Sequence, residues 1–194
     1  MAVQIQSSLQ PTQIRCSAGL VSKFLGMDLQ QDSGTVIAIN ELLERLRPTT
    51  IIELGTGLGG LTVCLGLWAY MNGCKTFSFD IRHRHSNNAA ILRTLKVACV
   101  TANIFRRWRA IAGLMGSGVV LLLCDGGDKV KEFNLFAQFL KPGDVIMAHD
   151  YSKDGLGRHE IEHSDVANTC NVYNLAAVME AQFEPYRWGV FLRL

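Results

Sequence analysis

The sequence predicts an α/β fold in three layers, a mostly parallel sheet covered by helices on both faces. Three observations predict it. Apolar runs of strand length alternate with segments of helical periodicity, without internal repeats or a Pro/Gly-rich linker. The runs are continuous rather than alternating, as in Val119-Val120-Leu121-Leu122-Leu123, which suits strands buried on both faces. A glycine-rich turn joins the first such run to a helix-length segment.

The elements follow in order. Over residues 35–47, Val36, Ile37, Ile39, Leu42, Leu43 and Leu46 recur at helical spacing, with Asp32 or Ser33 as cap and Pro48 as the stop. Thr49 to Leu54 reads as a buried strand, Gly60 to Met71 as a helix, and Gly73 closes the unit. Lys75 to Phe79 is the second strand, ending at Asp80; Ala89 to Leu95 is helical and Val97 to Thr101 is a third, short strand. Val119 to Cys124 is the fourth. Val130 to Leu140 places Phe133, Phe136, Ala137 and Leu140 on one side of a helix, and Lys141-Pro142-Gly143-Asp144 turns into a strand at Val145 to Ala148. Val166 to Phe183 is expected to be mostly helical, and Trp188 to Leu194 to be a strand. Residues 1–34 show only a weak pattern and are expected to form a partly helical cap before a domain at 35–194.

Composition bounds the function. The 194 residues are 48% hydrophobic and 19% charged with a net charge of +2, enough for one well-filled core and inconsistent with disorder or a dedicated nucleic-acid arm. The longest apolar stretch, Leu61 to Met71, contains Gly66 and is too short for the ~30 Å hydrocarbon layer. The opening MAVQIQSSLQ lacks the basic start and apolar run of a secretory signal, so a soluble cytoplasmic protein is expected. Cys16, Cys64, Cys74, Cys99, Cys124 and Cys170 include no C-x-x-C pair and are read as reduced, largely core residues rather than nucleophiles.

The turn reads Glu53-Leu54-Gly55-Thr56-Gly57-Leu58-Gly59-Gly60 and satisfies G-x-G-x-x-G. Its glycines allow a tight bend and close approach of a ligand, and the following helix offers free N–H groups to an anion. Glu53 separates two readings. A strand-end carboxylate is unfavourable beside a doubly charged diphosphate, but it suits S-adenosylmethionine, which carries a sulfonium, an ammonium and a single carboxylate. Asp80, at the end of the next strand, can accept from both ribose hydroxyls of either cofactor. Asp125 and Asp150 also end apolar strands, and those strands should be neighbours, so their carboxylates are expected to converge on a cation such as Mg²⁺ that would polarise a substrate hydroxyl. His149 is the alternative, as a general base.

These residues carry a resemblance. The glycine turn, Phe79-Asp80-Ile81, Asp125-Gly126-Gly127 and the run Leu140 to Tyr151 resemble the class I S-adenosylmethionine-dependent methyltransferases, in particular the small-molecule O-methyltransferases of the cephalosporin hydroxylase and rhamnosyl O-methyltransferase group, over about residues 25–194. The resemblance implies a three-layer Rossmann-like methyltransferase sheet of seven strands, mostly parallel with an antiparallel last strand, which Trp188 to Leu194 can supply. It implies that Glu53, Gly55, Thr56, Gly57, Gly59, Gly60, Asp80, Ile81 and Asp125 bind the cofactor, and that Asn103 and Ile104 lie near the adenine, where many members carry an acid instead of Asn103. Related enzymes often have a histidine where this chain has Asp128 and an acid where it has His149, so the metal role of Asp125 and Asp150 is open. Asp150 and Lys153 join His149 as catalytic candidates, with Tyr151 beside them. The expected activity is O-methylation of a small molecule or sugar hydroxyl; the rivals are an NAD(P)-dependent oxidoreductase and a non-catalytic nucleoside-binding protein.

Three further patterns are weighed and set aside. His159-Glu160-Ile161-Glu162-His163 matches the zinc-peptidase H-E-x-x-H, but Gly155 and Gly157 precede it and Ser164-Asp165 reads as a cap for the next helix, so a loop or short strand beside the substrate pocket is expected. Arg82-His83-Arg84-His85 and Phe105-Arg106-Arg107-Trp108-Arg109 are thin support for an RNA partner. One is expected to be a solvated face and the other to position an anionic or sugar substrate. The final strand and the N-terminal cap could carry a homo-oligomeric interface.

Overall fold

The computed structural model describes residues 23–157 and 159–194. Seven strands form its central sheet: β1 Thr50–Leu54, β2 Lys75–Asp80, β3 Ala98–Thr101, β4 Val120–Cys124, β5 Val145–His149, β6 Leu175–Ala177 and β7 Trp188–Arg193. They lie in the order β6-β7-β5-β4-β1-β2-β3. β1 pairs in parallel with β2 and β4, β2 with β3, and β4 with β5, whereas β7 runs antiparallel to β5 and β6. The expected antiparallel last strand is present. The chain builds outward from β1 to β3, then returns across β1 to β4 and β5, which makes the β1–β4 border the place where an open α/β sheet gathers ligands.

The side-chain period of two sorts each strand between two cores. Ile51, Leu121, Leu123 and Met147 face one layer, made by α1 (Ser33–Leu46), α2 (Gly60–Asn72) and the short α7 (Glu180–Phe183), which supply Ile39, Leu43, Leu65 and Phe183. Ile52, Leu54, Leu122 and Ile146 face the other, where α4 (Ile104–Leu114), α5 (Lys129–Phe136) and α6 (His163–Val172) supply Ile111, Phe133, Phe136 and Val166. The small α3 (Ala89–Thr94) adds Leu92 against Val63 and Val97. The first helix begins and ends as its sequence dictates. The Asp32 side chain caps Gly34 N at 3.1 Å, and Arg47 takes a left-handed turn just before Pro48.

One expectation is corrected, and two further elements add to the sequence reading. The helix expected over 166–183 is broken: Asn174, at φ +47°, turns the chain out of α6, and Leu175–Ala177 pairs with β7. α4 was not anticipated from its Arg-rich sequence, although Ile104, Trp108 and Ile111 hold helical spacing and Asn103 caps Phe105 N and Arg106 N at 3.0 and 3.2 Å. Within the described part of the expected, partly helical N-terminal cap, Lys23–Phe24 and Met27–Asp28 form a hairpin and α1 begins at Ser33; the rest of that segment, with Cys16, lies outside the described residues. No helix among the described residues is long and apolar enough to cross a membrane.

Candidate active site

The carboxyl ends of β1, β2 and β4 open into a cavity of about 510 Å³. Its floor is the glycine turn. Gly55 sits at φ +107°, and a Cβ there would lie 2.2 Å from the Asp125 carbonyl, so only glycine lets β1 and β4 stay in register at this point. Gly57 is also left-handed, and a Cβ on it would meet Gln30 Oε1 at 2.4 Å. Gln30 Oε1 accepts from Leu58 N at 2.7 Å, so the segment after the hairpin is tied down over the turn. Thr56, Ile81, Asn103 and Ile104 line the cavity with Gly55 and Gly57; Gly59 and Gly60 do not.

Two acids flank the turn in different electrostatic settings. Asp80 accepts from Gly57 N at 2.9 Å and Arg82 N at 2.8 Å and lines the cavity. Glu53, 1% exposed, also reaches the cavity, and its Oε2 accepts from the Thr62 hydroxyl at 2.6 Å and from Ser78. Complete burial pushes the Glu53 carboxyl up to about 7, against the hydroxyl hydrogen bonds that favour its ionised form. It is therefore an internal acid poised between charge states.

At the ends of β4 and β5, register decides which side chains meet. Cys124 pairs with Ala148, so the next residues, Asp125 and His149, are neighbours. His149 Nδ1 lies 2.9 Å from Asp125 Oδ1, and the ring packs on Trp188 at 4.8 Å between centroids. Asp150 takes a left-handed conformation, φ +54°, and lies 3.5 Å from the same Nδ1. Its carboxylate meets Arg187 at 2.8 Å and Lys129 at 3.5 Å. Asp125, His149 and Asp150 all line the cavity.

Sequence reading missed four residues here. Gln31 Nε2 donates to Asp125 Oδ2 at 2.7 Å, while its buried Oε1 has no protein partner. Lys129 is buried against Glu160 and Asp150. Glu132 accepts from Gly126 N at 3.1 Å and Asp128 N at 3.4 Å, and burial pushes its carboxyl up to about 7. Gln30 and Gln31 carry no motif. The signal for Lys129 and Glu132 was an otherwise apolar α5 face with two charges at its start.

Other candidates fall elsewhere. Lys153 is exposed, pairs with Glu180 and lines a separate cavity of about 280 Å³ along with Tyr151, outside the glycine-turn cavity. Its loop has turned away from β5 by that point. His159 and His163 share no helix face: Ile161–Glu162 is a short strand paired with Tyr151–Ser152, and α6 begins only at His163. Arg82 and Arg84 line the cavity, whereas Trp108 stacks on Phe139 at 5.6 Å and serves the core. The described cysteines are free, and burial pushes their thiols up, Cys64 to about 12 and Cys170 to about 11, which disfavours a nucleophilic thiolate.

A family model for rhamnosyl O-methyltransferase/CmcI matches residues 20–186. The chain belongs to this family. It is thereby an S-adenosylmethionine-dependent O-methyltransferase, and the oxidoreductase reading of the glycine turn finds no support. Among solved structures, the chain is similar to CmcI in an apo structure, with a TM-score of 0.70 and 16% identity over 89% of this chain and 76% of that one. It is similar to a CmcI structure with Mg and SAM, with a TM-score of 0.66 and 16% identity over 100% and 89%. Cofactor-bound Rv0187 from MTB gives a TM-score of 0.56 and 14% identity over 84% and 80%. At these identities the likeness concerns the fold. No curated protein matches the chain.

The cavity fits the methyl donor. Gly55 and Gly57 form a cradle that a Cβ would fill, Asp80 presents a carboxylate beside it, and Glu53 offers an acid that a cation would hold ionised. The acidic end fits a divalent ion poorly. Each oxygen of Asp125 and Asp150 faces a protein nitrogen, and no cluster of three His, Cys, Asp or Glu side chains among the described residues is arranged to hold a metal.

Proposed function

We propose that this protein methylates a hydroxyl of a small molecule, with S-adenosylmethionine held by the glycine turn and the Asp125–His149 pair acting on the acceptor. The bound donor supplies an electrophilic methyl group on a sulfonium. Asp80 would accept from the ribose hydroxyls, Asn103 and Ile104 would border the adenine, and the Gly55–Gly57 backbone would carry the amino-acid portion. Glu53 favours the cationic donor over a diphosphate. Asp125 holds Nδ1–H of His149, which leaves Nε2 as the acceptor nitrogen of the neutral ring. His149 Nε2 would take the hydroxyl proton as the acceptor oxygen bonds to the methyl carbon, the electron pair of the broken carbon–sulfur bond staying on sulfur. Asp125 then stabilises the imidazolium. Alignment in a confined cavity contributes much of the acceleration, because nucleophile and methyl are held at attack distance.

The Asp125–His149 contact supports this reading, since the histidine that would serve as base lines the same cavity as the glycine turn. Calorimetric titration of the full chain with S-adenosylmethionine, S-adenosylhomocysteine and NAD tests the donor half. Binding of both sulfur compounds at about 10⁻⁴ M or tighter, with none for NAD, is the expected result. NAD binding in their place would defeat it.

A further inference from the structure

The acidic end of the cavity is supplied with fixed cations of its own. Lys129, the first residue of α5, is 7% exposed. Its Nζ donates to Glu160 Oε2 at 2.6 Å and to the Gly126 carbonyl at 3.2 Å, and it lies 3.5 Å from Asp150 Oδ2. Arg187 holds the other oxygen of Asp150 at 2.8 Å. His149 and Gln31 hold the two oxygens of Asp125 at 2.9 and 2.7 Å. The ammonium is thus held between two carboxylates and a backbone carbonyl. Burying a lysine is costly unless it is paired, and here the pairing serves the two strand-end aspartates.

We propose that the Lys129 ammonium takes the place of a divalent cation at this end of the cavity, and that methyl transfer by this protein needs no metal ion. The inference rests on the donor reading above. A Mg²⁺ ion asks for about six oxygen ligands in near-octahedral array. An ion between Asp125 and Asp150 would have to displace the His149 and Gln31 contacts and sit close to the Lys129 ammonium and the Arg187 guanidinium. The repulsion between the aspartates that a metal would relieve is already relieved by Lys129 and Arg187. Hydroxyl activation falls to His149, which takes the proton while the methyl moves from sulfur to oxygen. Lys129 does not line the cavity. It is a positioning residue that acts through Asp150, whose Oδ2 lies 3.5 Å from His149 Nδ1.

The test is a Mn²⁺ titration of the full chain followed by electron paramagnetic resonance, with calorimetry of S-adenosylhomocysteine in EDTA and in Mg²⁺. The wild-type chain should bind no Mn²⁺ tighter than about 0.5 mM, and its affinity for S-adenosylhomocysteine should differ by less than about twofold between the two buffers. Lys129→Met, similar in length but neutral, should open a Mn²⁺ site and gain melting temperature in Mg²⁺. Lys129→Arg should restore the wild-type indifference to metal, which a merely structural lysine would not require. Wild-type Mn²⁺ binding tighter than that limit, or a Lys129→Met chain that folds and still ignores metal, overturns the proposal. If Lys129→Met does not fold, the wild-type titration alone decides. Failure of S-adenosylhomocysteine to bind in either buffer would count against the donor reading, while the Mn²⁺ result still judges the lysine.

Discussion

The two ends of the cavity are built in different ways. The donor end is local: residues 53–60 form one strand end, one turn and one helix start, and Asp80 closes on it through the Gly57 N–H. The acidic end is assembled from far-separated chain segments: Gln31 before α1, Asp125 after β4, Lys129 on α5, His149 and Asp150 after β5, Glu160 in a loop and Arg187 before β7. The first kind of site is carried by backbone geometry that a short motif specifies. The second depends on strand register and on charge balance among segments no motif links. A change at the donor end should therefore weaken donor binding directly. A change at the acidic end should leave donor binding intact and remove chemistry.

The sharpest break in that comparison is His149→Ala. Removing a general base costs about 10²–10⁴ in rate. We expect kcat for a hydroxyl acceptor, followed by transfer of labelled methyl, to fall at least about 100-fold, while affinity for S-adenosylhomocysteine stays within about threefold. An equal loss in both would mean that the histidine belongs to the donor site. Next in size is Asp80→Ala. It removes the carboxylate proposed for the ribose and the acceptor of Gly57 N at 2.9 Å. Hydrogen bonds to a charged group contribute roughly 1.5–3 kcal/mol, so affinity for S-adenosylhomocysteine should fall about 10- to 150-fold. Lys153→Ala, at an exposed residue in the other cavity, is the control and should change neither quantity.

The same contrast explains what could be read from the residues alone. The alternation of strands and helices, the glycine turn and the acid at the end of β2 were legible because each rests on spacing within about ten residues. Asp125 and Asp150 were expected to converge as a pair. Both carboxylates do reach His149 Nδ1, at 2.9 and 3.5 Å, but the β4–β5 register makes His149 the direct partner of Asp125, and the left-handed Asp150 also meets Lys129 and Arg187. A shift of one residue between adjacent strand ends decides which side chains meet, and single-sequence reading does not resolve that. Lys129 carried no signal of its own in the sequence, because its burial depends on Glu160, more than thirty residues further along the chain. The break at Asn174 was hidden for a similar reason: Leu175 to Ala177 is a strand only because β7 lies beside it.

The smallest effect is carried by Glu53 and reads the donor end through pH. Burial pushes its carboxyl up to about 7 in the cavity, from about 4.5 for a free glutamate side chain. Between those two values the folded chain binds more protons than the unfolded chain, so stability falls as pH rises from 4.5 to about 7 and changes little above that. Glu132 adds a slope of the same sign, raised to about 7 by burial. Glu53→Gln should flatten part of this slope in urea melts at pH 5 and pH 8, and the remainder should belong to Glu132. Donor binding should respond in the opposite direction. A sulfonium in the cavity favours ionised Glu53, so affinity for S-adenosylmethionine should rise with pH, by up to about tenfold between pH 6 and pH 8. S-adenosylhomocysteine lacks the sulfonium charge and should show a shallower dependence, and Glu53→Gln should make the two alike. A steeper slope for S-adenosylhomocysteine would mean that the pH response comes from another acid, and would move the discrimination between cationic and phosphorylated ligands away from the strand end at Glu53.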